Sequence, residues 1–279
     1  MSVDLLQEKI RKAKNPSVLV LEAFGELLPE NFSDFRTYYA ALLEQLGGLV
    51  PAVRFGFGSF ALTGNLDALG ALTRQAKALG YYVILDAPEL LSAQAAEHTA
   101  HVLAEADCPL AWDGLVISPW LGSDVMKPFL DLCGKGKALF CAIRTGNRSA
   151  SQLQDLLSGT RLAHAAAADI VTRHGEGVLG KYGYSNLAAT APAGSADHIK
   201  TLRNKYGRLF LLVDGYDYSF GNSKNCSLAF DKLGHGAAVC AGSSLTAAWK
   251  EAAELTPLEA ALEAAKKMKK NLARYVTVL

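Results

Sequence analysis

Polar and charged residues recur at one kind of place in this chain, directly after short apolar runs. Glu22, Arg54, Asp86, Ser118, Arg144, Thr190, Asp214 and the pair Ser243-Ser244 all stand there. Loops often begin with polar residues, so any one of these positions could be only that. Together they point to a pocket for a polar ligand. Arg54, Asp86 and Arg144 are among the ring's charged members. Arg144-Thr145-Gly146-Asn147-Arg148 is dense in donors suited to a base, a sugar or a carboxylate. Asp214-Gly215-Tyr216, Gly221-Asn222 and Ala241-Gly242-Ser243-Ser244 are rich in glycine and hydroxyls. Glycine lets backbone N–H groups approach an anion closely, and a helix start there would add its positive dipole end. Lys224 and the serine hydroxyls are possible extra donors, or the glycines serve only tight turns.

Other chemistries find little support. The six histidines, His98, His101, His164, His174, His198 and His235, show no spacing that closes a metal site. No GxSxG nucleophile motif occurs. The five cysteines form no CxxC pair and read as reduced, mostly buried thiols.

The elements that must hold the polar ring follow from periodicity. Eight short apolar or β-branched runs read as strands: Ser17–Glu22, Val50–Phe55, Tyr81–Asp86, Gly114–Ser118, Ala138–Arg144, Asn186–Thr190, Arg208–Asp214 and Gly236–Ala241. Their near-continuous apolarity suits parallel strands covered on both faces. Asn186–Thr190 is the weakest. Between them, Phe32–Leu46 and Asn65–Leu79 carry apolar residues at helical steps. Gly80, Gly207 and Gly234 are placed as helix C-terminal glycines, and Asp124, Ser149 and Ser195 as N-caps. Eight strands alternating with helices predict an α/β fold, a (β/α)8 TIM barrel, as one domain over residues 1–279. An open doubly wound sheet is the alternative. Met1–Lys14 reads as an extra helix closing the bottom and Pro257–Tyr275 as a last amphipathic helix, its lysines a solvated face. In such barrels, chemistry sits at the C-terminal strand ends, where the polar ring falls.

Composition narrows the class. Twenty-eight basic and 27 acidic residues give a formal charge of +1, which excludes a strongly basic nucleic-acid surface. No apolar run has the ~18 residues of a membrane helix, and the N-terminus lacks the apolar core of a signal peptide. The expectation is a cytoplasmic protein with neither nucleic acid nor membrane as partner.

Two stretches carry a family resemblance. Val116-Ile117-Ser118-Pro119-Trp120-Leu121-Gly122-Ser123-Asp124, followed by Lys127-Pro128-Phe129-Leu130, resembles the fourth-strand segment of orotidine 5′-phosphate decarboxylases of the longer bacterial type. Ile143-Arg144-Thr145-Gly146-Asn147 with Leu153-Gln154 resembles their fifth-strand segment, RTSNP followed by LQ. Weaker likeness extends through Ala188-Ala189-Thr190, Asp214-Gly215-Tyr216 and the eighth strand. The resemblance implies a barrel that dimerises with its active sites at the subunit interface and converts orotidine monophosphate to UMP and CO2 without cofactor. With the polar ring and the loops after strands seven and eight, it leads to expected substrate contacts at Glu22, Ser118, Arg144, Thr145, Asn147 and Thr190, and expected phosphate contacts at Gly215, Ser219, Gly242, Ser243 and Ser244.

The family's alternating Lys-Asp-Lys-Asp array does not carry over. Arg54 stands where the second-strand lysine belongs. Against DxKRxD the third strand offers Asp86-Ala87-Pro88-Glu89-Leu90-Leu91, so Asp86 matches while the proton-donating lysine falls on Pro88 and the second aspartate on Leu91. The phosphate-gripping glutamine falls on Ser219 and the arginine after strand eight on Ser243. An arginine stays protonated at ordinary pH and is a poor proton donor, and losing a general acid costs about 10²–10⁴ in rate. The sequence therefore predicts a diverged barrel lacking ordinary turnover but keeping a pocket for a phosphorylated or anionic small molecule, a pyrimidine nucleotide among them, in a homodimer. An active lyase with a rearranged site, with Asp86 and Arg54 as candidate catalytic residues and Glu89 and Arg144 as further charged groups, and a non-catalytic interaction protein stand as alternatives.

Overall fold

The computed structural model describes residues 2–88, 92–217 and 221–279. Eight parallel strands close into a barrel: β1 (Ser17–Leu21), β2 (Ala52–Gly56), β3 (Tyr82–Asp86), β4 (Gly114–Ile117), β5 (Ala138–Cys141), β6 (Ser185–Pro192), β7 (Leu209–Asp214) and β8 (Ala237–Ala241). Closure comes from β8 pairing with β1, Ser17 opposite Val239 and Leu19 opposite Ala241, which removes the open-sheet alternative.

Strand alternation builds two cores. Residues pointing inward, among them Val18, Ala52, Tyr82, Ile84, Val116, Phe140, Ala188, Phe210 and Leu212, fill the barrel. Their neighbours Leu19, Val53, Val83, Leu115, Leu139 and Leu211 face the surrounding helices. A strand buried on both faces needs apolar residues at every position, which is why the runs do not alternate. The sixth run was the weakest in sequence, yet β6 is the longest strand, eight residues and all buried. Its alanines fit a crowded barrel wall, so burial overrides modest β-propensity. The fifth strand stops at Cys141, short of the expected Arg144, because Ile143 N–H turns back onto the Cys141 carbonyl at 2.8 Å.

Helix α1 (Ser2–Ala13) closes the N-terminal end of the barrel. Val3, Leu6 and Ile10 pack into the inner core, and Ser2 Oγ shares a 2.7 Å hydrogen bond with Tyr82 OH. Asp4 accepts from the Lys181 N–H at 3.0 Å, and Gln7 Oε1 from the Gly236 N–H at 3.0 Å. Helix α2 (Phe35–Leu46), capped by Asp34 on Thr37 N–H, buries Phe35, Tyr39, Leu42, Leu43 and Leu46 along the foreseen stripe, and Tyr38 beside it. Helix α3 (Leu66–Ala78) ends at Gly80, whose φ of +89° suits glycine alone. Helices α4 (Ala93–Ala104), α5 (Ala163–Gly175), α6 (Ala196–Lys205) and α7 (Pro257–Ala273) complete the outer layer. A reciprocal Thr256–Glu259 capping box starts α7, and its Lys266 pairs with Glu263 on a solvated face.

Several local expectations fail. Asp124 and Ser149 lie inside 3-10 turns, Ser123–Val125 and Arg148–Gln152, and Ser195 precedes α6 without a capping side-chain bond. Gly234 belongs to a turn closed by its N–H on the Asp231 carbonyl, whereas Gly207 does stand just beyond α6, after the capping Tyr206. A short hairpin, Leu157–Ser158 with Arg161–Leu162, extends from the β5–α5 segment and had no signal in the apolar pattern.

Candidate functional site

A cavity of about 800 Å³ opens at the C-terminal ends of the strands. Inward alternation explains its floor. On β3 the inward series Tyr82, Ile84 continues to Asp86; on β7 Phe210, Leu212 continues to Asp214; on β8 Ala238 continues to Cys240. Arg54 is the inward residue of β2 after Ala52, level with Val20 on β1 and Ile84 on β3. It is 9 % exposed. Its Nη1 donates to Asp214 and its Nη2 to Asp86, so the guanidinium bridges two carboxylates across the mouth. Cys240 Sγ lies 3.9 Å from the same Nη1, and Arg54 Nε has no hydrogen-bond partner.

The electrostatics of this centre follow from burial against charge. Burial by itself would lower the Arg54 pKa, but the Asp214 and Asp86 charges outweigh it and hold it above the ordinary arginine value. Burial pushes the Asp214 carboxyl up from the usual range, with Arg54 opposing and Asp86 adding to the rise. Burial and the Asp214 charge raise the Cys240 thiol, which keeps it protonated. The ion pair is thus a fixed cation with two acceptors rather than a proton donor.

A second ordered group stands at the β5 side. Arg144 grips Asp155 bidentately, Nε and Nη2 each at 2.9 Å. His164 Nδ1 meets the same carboxylate at 3.0 Å and the Gln154 carbonyl at 2.9 Å. The hydrogen bonds from Arg144 lead in holding the Asp155 carboxyl below its ordinary range. Gln154 ties the adjoining loop, its Oε1 accepting from the Thr145 N–H at 2.8 Å, while Thr145 Oγ1 donates to Asn147 at 2.5 Å. Behind them His198 packs edge-on against His164, 4.7 Å between centroids, with its Nε2 buried and unpartnered. Burial pushes His198 down to about 3.

On the β1 side, a Cβ on Gly56 would lie 2.1 Å from Glu22 Oε2, so glycine at the end of β2 makes room for the Glu22 carboxylate. On the β7–β8 side, Gly215 takes φ +83°, and Gly221 approaches its carbonyl so closely that a Cβ would sit 2.2 Å away. This fold-back places Asp217 over the loop after β8, where its carboxylate accepts from the Gly242 N–H and from Ser244 Oγ.

The cavity gathers most residues expected from the sequence: Glu22, Arg54, Asp86, Arg144, Thr145, Asn147, Thr190, Gly215, Gly242 and Ser243 all line it. Ser118, Ser244 and Lys224 do not. Ser118 directly precedes a 3-10 turn, Pro119–Leu121. Ser244 is turned onto Asp217, and Lys224 sits in the outer helix Ser223–Ser227. Ser219 and Glu89 lie outside the described residues. At the β7–β8 loops, where phosphate contacts are expected, the donors at 242 and 244 are engaged by an internal carboxylate. Asp217, Glu26 and Cys240 line the cavity and were missed. Cys240 was legible as an inward position two residues beyond Ala238; Asp217 and Glu26 lie in loops, where no period applies. In total the described lining carries five carboxylates, Glu22, Glu26, Asp86, Asp214 and Asp217, against the guanidiniums of Arg54 and Arg144. No group of three or more His, Cys, Asp or Glu among the described residues could hold a metal ion, and no described helix is long and apolar enough to cross a membrane.

No family model matches the chain. It is 28 % identical over 212 residues to orotidine 5′-phosphate decarboxylase of Rhodopirellula baltica, covering 74 % of this chain and 70 % of that protein. It is 28 % identical over 222 residues to the enzyme of the same name from Clostridium novyi, covering 78 % and 76 %. Among solved structures, OMP decarboxylase of Leishmania donovani superposes with a TM-score of 0.78 at 22 % identity, covering 99 % of each chain. The chain is an orotidine 5′-phosphate decarboxylase-like TIM barrel.

Proposed function

We propose that this orotidine 5′-phosphate decarboxylase-like barrel does not carry out ordinary conversion of orotidine monophosphate to UMP and instead uses its mouth to bind a small polar molecule. One observation carries the reading: the charged centre is Arg54 locked between Asp86 and Asp214, and no lysine lines the cavity among the described residues. Decarboxylation leaves a vinyl carbanion that needs a proton delivered in place. General acids work best with a pKa near the working pH. An arginine whose pKa the flanking carboxylates raise further is remote from that condition.

The remaining groups suit recognition. Arg144, fixed by Asp155, and Asn147 present donors at one wall; Glu22 and Thr190 present acceptors and a hydroxyl elsewhere in the mouth. Orientation by fixed partners lowers the entropy a ligand must overcome to make the same contacts. A ligand of nucleotide size fits the volume, and with Arg144 forked onto Asp155 and Asp217 seated on Gly242 and Ser244 the mouth offers it hydrogen bonds rather than an unpaired cation. The open cavity weighs against an interaction protein with a closed mouth. A homodimer is part of the proposal, with Trp120, Leu121, Leu153 and Leu157 as exposed apolar residues on the segments that leave β4 and β5. Sedimentation equilibrium reads the assembly.

The test of function is release of CO2 from carboxyl-labelled orotidine monophosphate by the purified full chain. No turnover above a protein-free control is expected. Sustained turnover abolished by Asp86→Ala would establish the active-lyase alternative and overturn the proposal.

A further inference from the structure

We infer that Asp217 is a specificity-determining residue that turns this mouth away from phosphate esters, so that the group the ligand presents toward the loops after β7 and β8 is uncharged and hydroxyl- or amino-bearing. The inference rests on the binding function proposed above and deepens it.

Barrels often hold phosphate with the loops after strands seven and eight, through backbone N–H groups and hydroxyls. Here those loops have the required parts, Gly242 N–H and Ser244 Oγ, but both donate to the Asp217 carboxylate. A Cβ on Gly242 would come within 3.4 Å of Asp217 Oδ2, so the loop backbone is closely approached by the side chain. A phosphate entering this position would have to displace an anion already supplied with charge-assisted hydrogen bonds, or sit beside it. Sitting beside it means like charges at close range in a partly enclosed site.

The cations that could offset this are committed elsewhere. Arg54 is shared between Asp86 and Asp214, and Arg144 is forked onto Asp155. With five carboxylates against two guanidiniums among the described residues, the lining opposes a further dianion and accepts hydrogen-bond donors. Specificity of this kind arises as much from repelling the wrong ligand as from holding the right one.

The probe is inorganic phosphate, which needs no nucleotide and no turnover. Thermal unfolding and calorimetric titration of the full chain are run in phosphate and in chloride at equal ionic strength. Wild type, Asp217→Asn and Asp217→Ser are compared, so that the general effect of phosphate on folded proteins cancels. Phosphate affinity roughly tenfold higher in both variants than in wild type is expected, the size of one charge-assisted hydrogen bond regained. In wild type, UMP gains no affinity over uridine. Equal phosphate affinity in wild type and variants, or UMP binding wild type more tightly than uridine, overturns the inference. If one variant fails to fold, the other decides. Failure of the functional reading is separate: it is read as CO2 from orotidine monophosphate, whatever the phosphate titrations give.

Discussion

Replacing Arg54 with methionine keeps length and apolar volume while deleting the charge between Asp86 and Asp214. The wild-type guanidinium is 11 % exposed at its side chain, Asp86 17 % and Asp214 31 %, so both carboxylates would be left with little water in place of a cation. Breaking a buried pair from one side costs about 3–5 kcal/mol. A second estimate comes from the escape route open to the variant. It can relieve repulsion by protonating one aspartate, and holding a carboxyl of ordinary pKa near 3.9 protonated at pH 7 costs about 4 kcal/mol at 1.36 kcal/mol per unit. The two estimates agree. The second adds a pH dependence. In the variant the folded carboxyl pKa stands above its unfolded value, so the folded state binds the extra proton and the stability deficit shrinks as pH falls. At pH 5 the same protonation costs only about 1.5 kcal/mol. Urea unfolding of wild type and Arg54→Met at pH 7 and pH 5 reads both values, and adding Asp214→Asn to the variant restores most of the loss at pH 7. A deficit under about 1 kcal/mol at pH 7, or one that does not change with pH, refutes the buried double ion pair as the charged floor of the mouth.

Three further outcomes follow from other sites. Because unfolded histidine protonates near 6.5 while burial holds His198 to about 3, the unfolded state binds more protons between these values and stability falls as pH drops through that window; His198→Leu flattens this acid slope by a few kcal/mol in pH-dependent unfolding. Asp155→Ala removes the Arg144 fork and lowers stability by about 2 kcal/mol at pH 7, a difference fully present above the ordinary carboxylate pKa and lost as pH falls through the depressed folded value, which acid titration of both proteins checks. Gly236→Ala places a Cβ 2.3 Å from the Tyr184 ring at φ +84°, so strain and overpacking together lower stability by about 2–4 kcal/mol, seen as a drop in the thermal midpoint.

The architecture was readable because it rests on short-range rules. Runs such as Tyr81–Asp86 and Arg208–Asp214 are apolar at every position, and only strands covered on both faces need that. The helix Phe35–Leu46 announced its stripe, and Gly80 its end. The height of the ring was also readable, since Glu22, Arg54, Asp86, Arg144 and Thr190 stand in or just beyond the C-terminal halves of their strands and all line the cavity. That no DxKxxD segment occurs needs only the sequence.

What the ring does with its charges was decided by the tertiary structure. Arg54 meets Asp214, 160 residues away, only because β2 and β7 face the same barrel interior, and no local pattern encodes that distance. Arg144 looked like a free donor until the segment after β5 brought Asp155, itself met by His164, back onto it. Asp217 changed the reading most. In sequence it is one acid in a glycine-rich loop, but the turn at Gly215 and the close approach of Gly221 set it on Gly242 and Ser244. Strand periodicity reports which way a side chain points, because the backbone repeats; a loop has no repeat, so which charges pair across the mouth exists only once the barrel has closed.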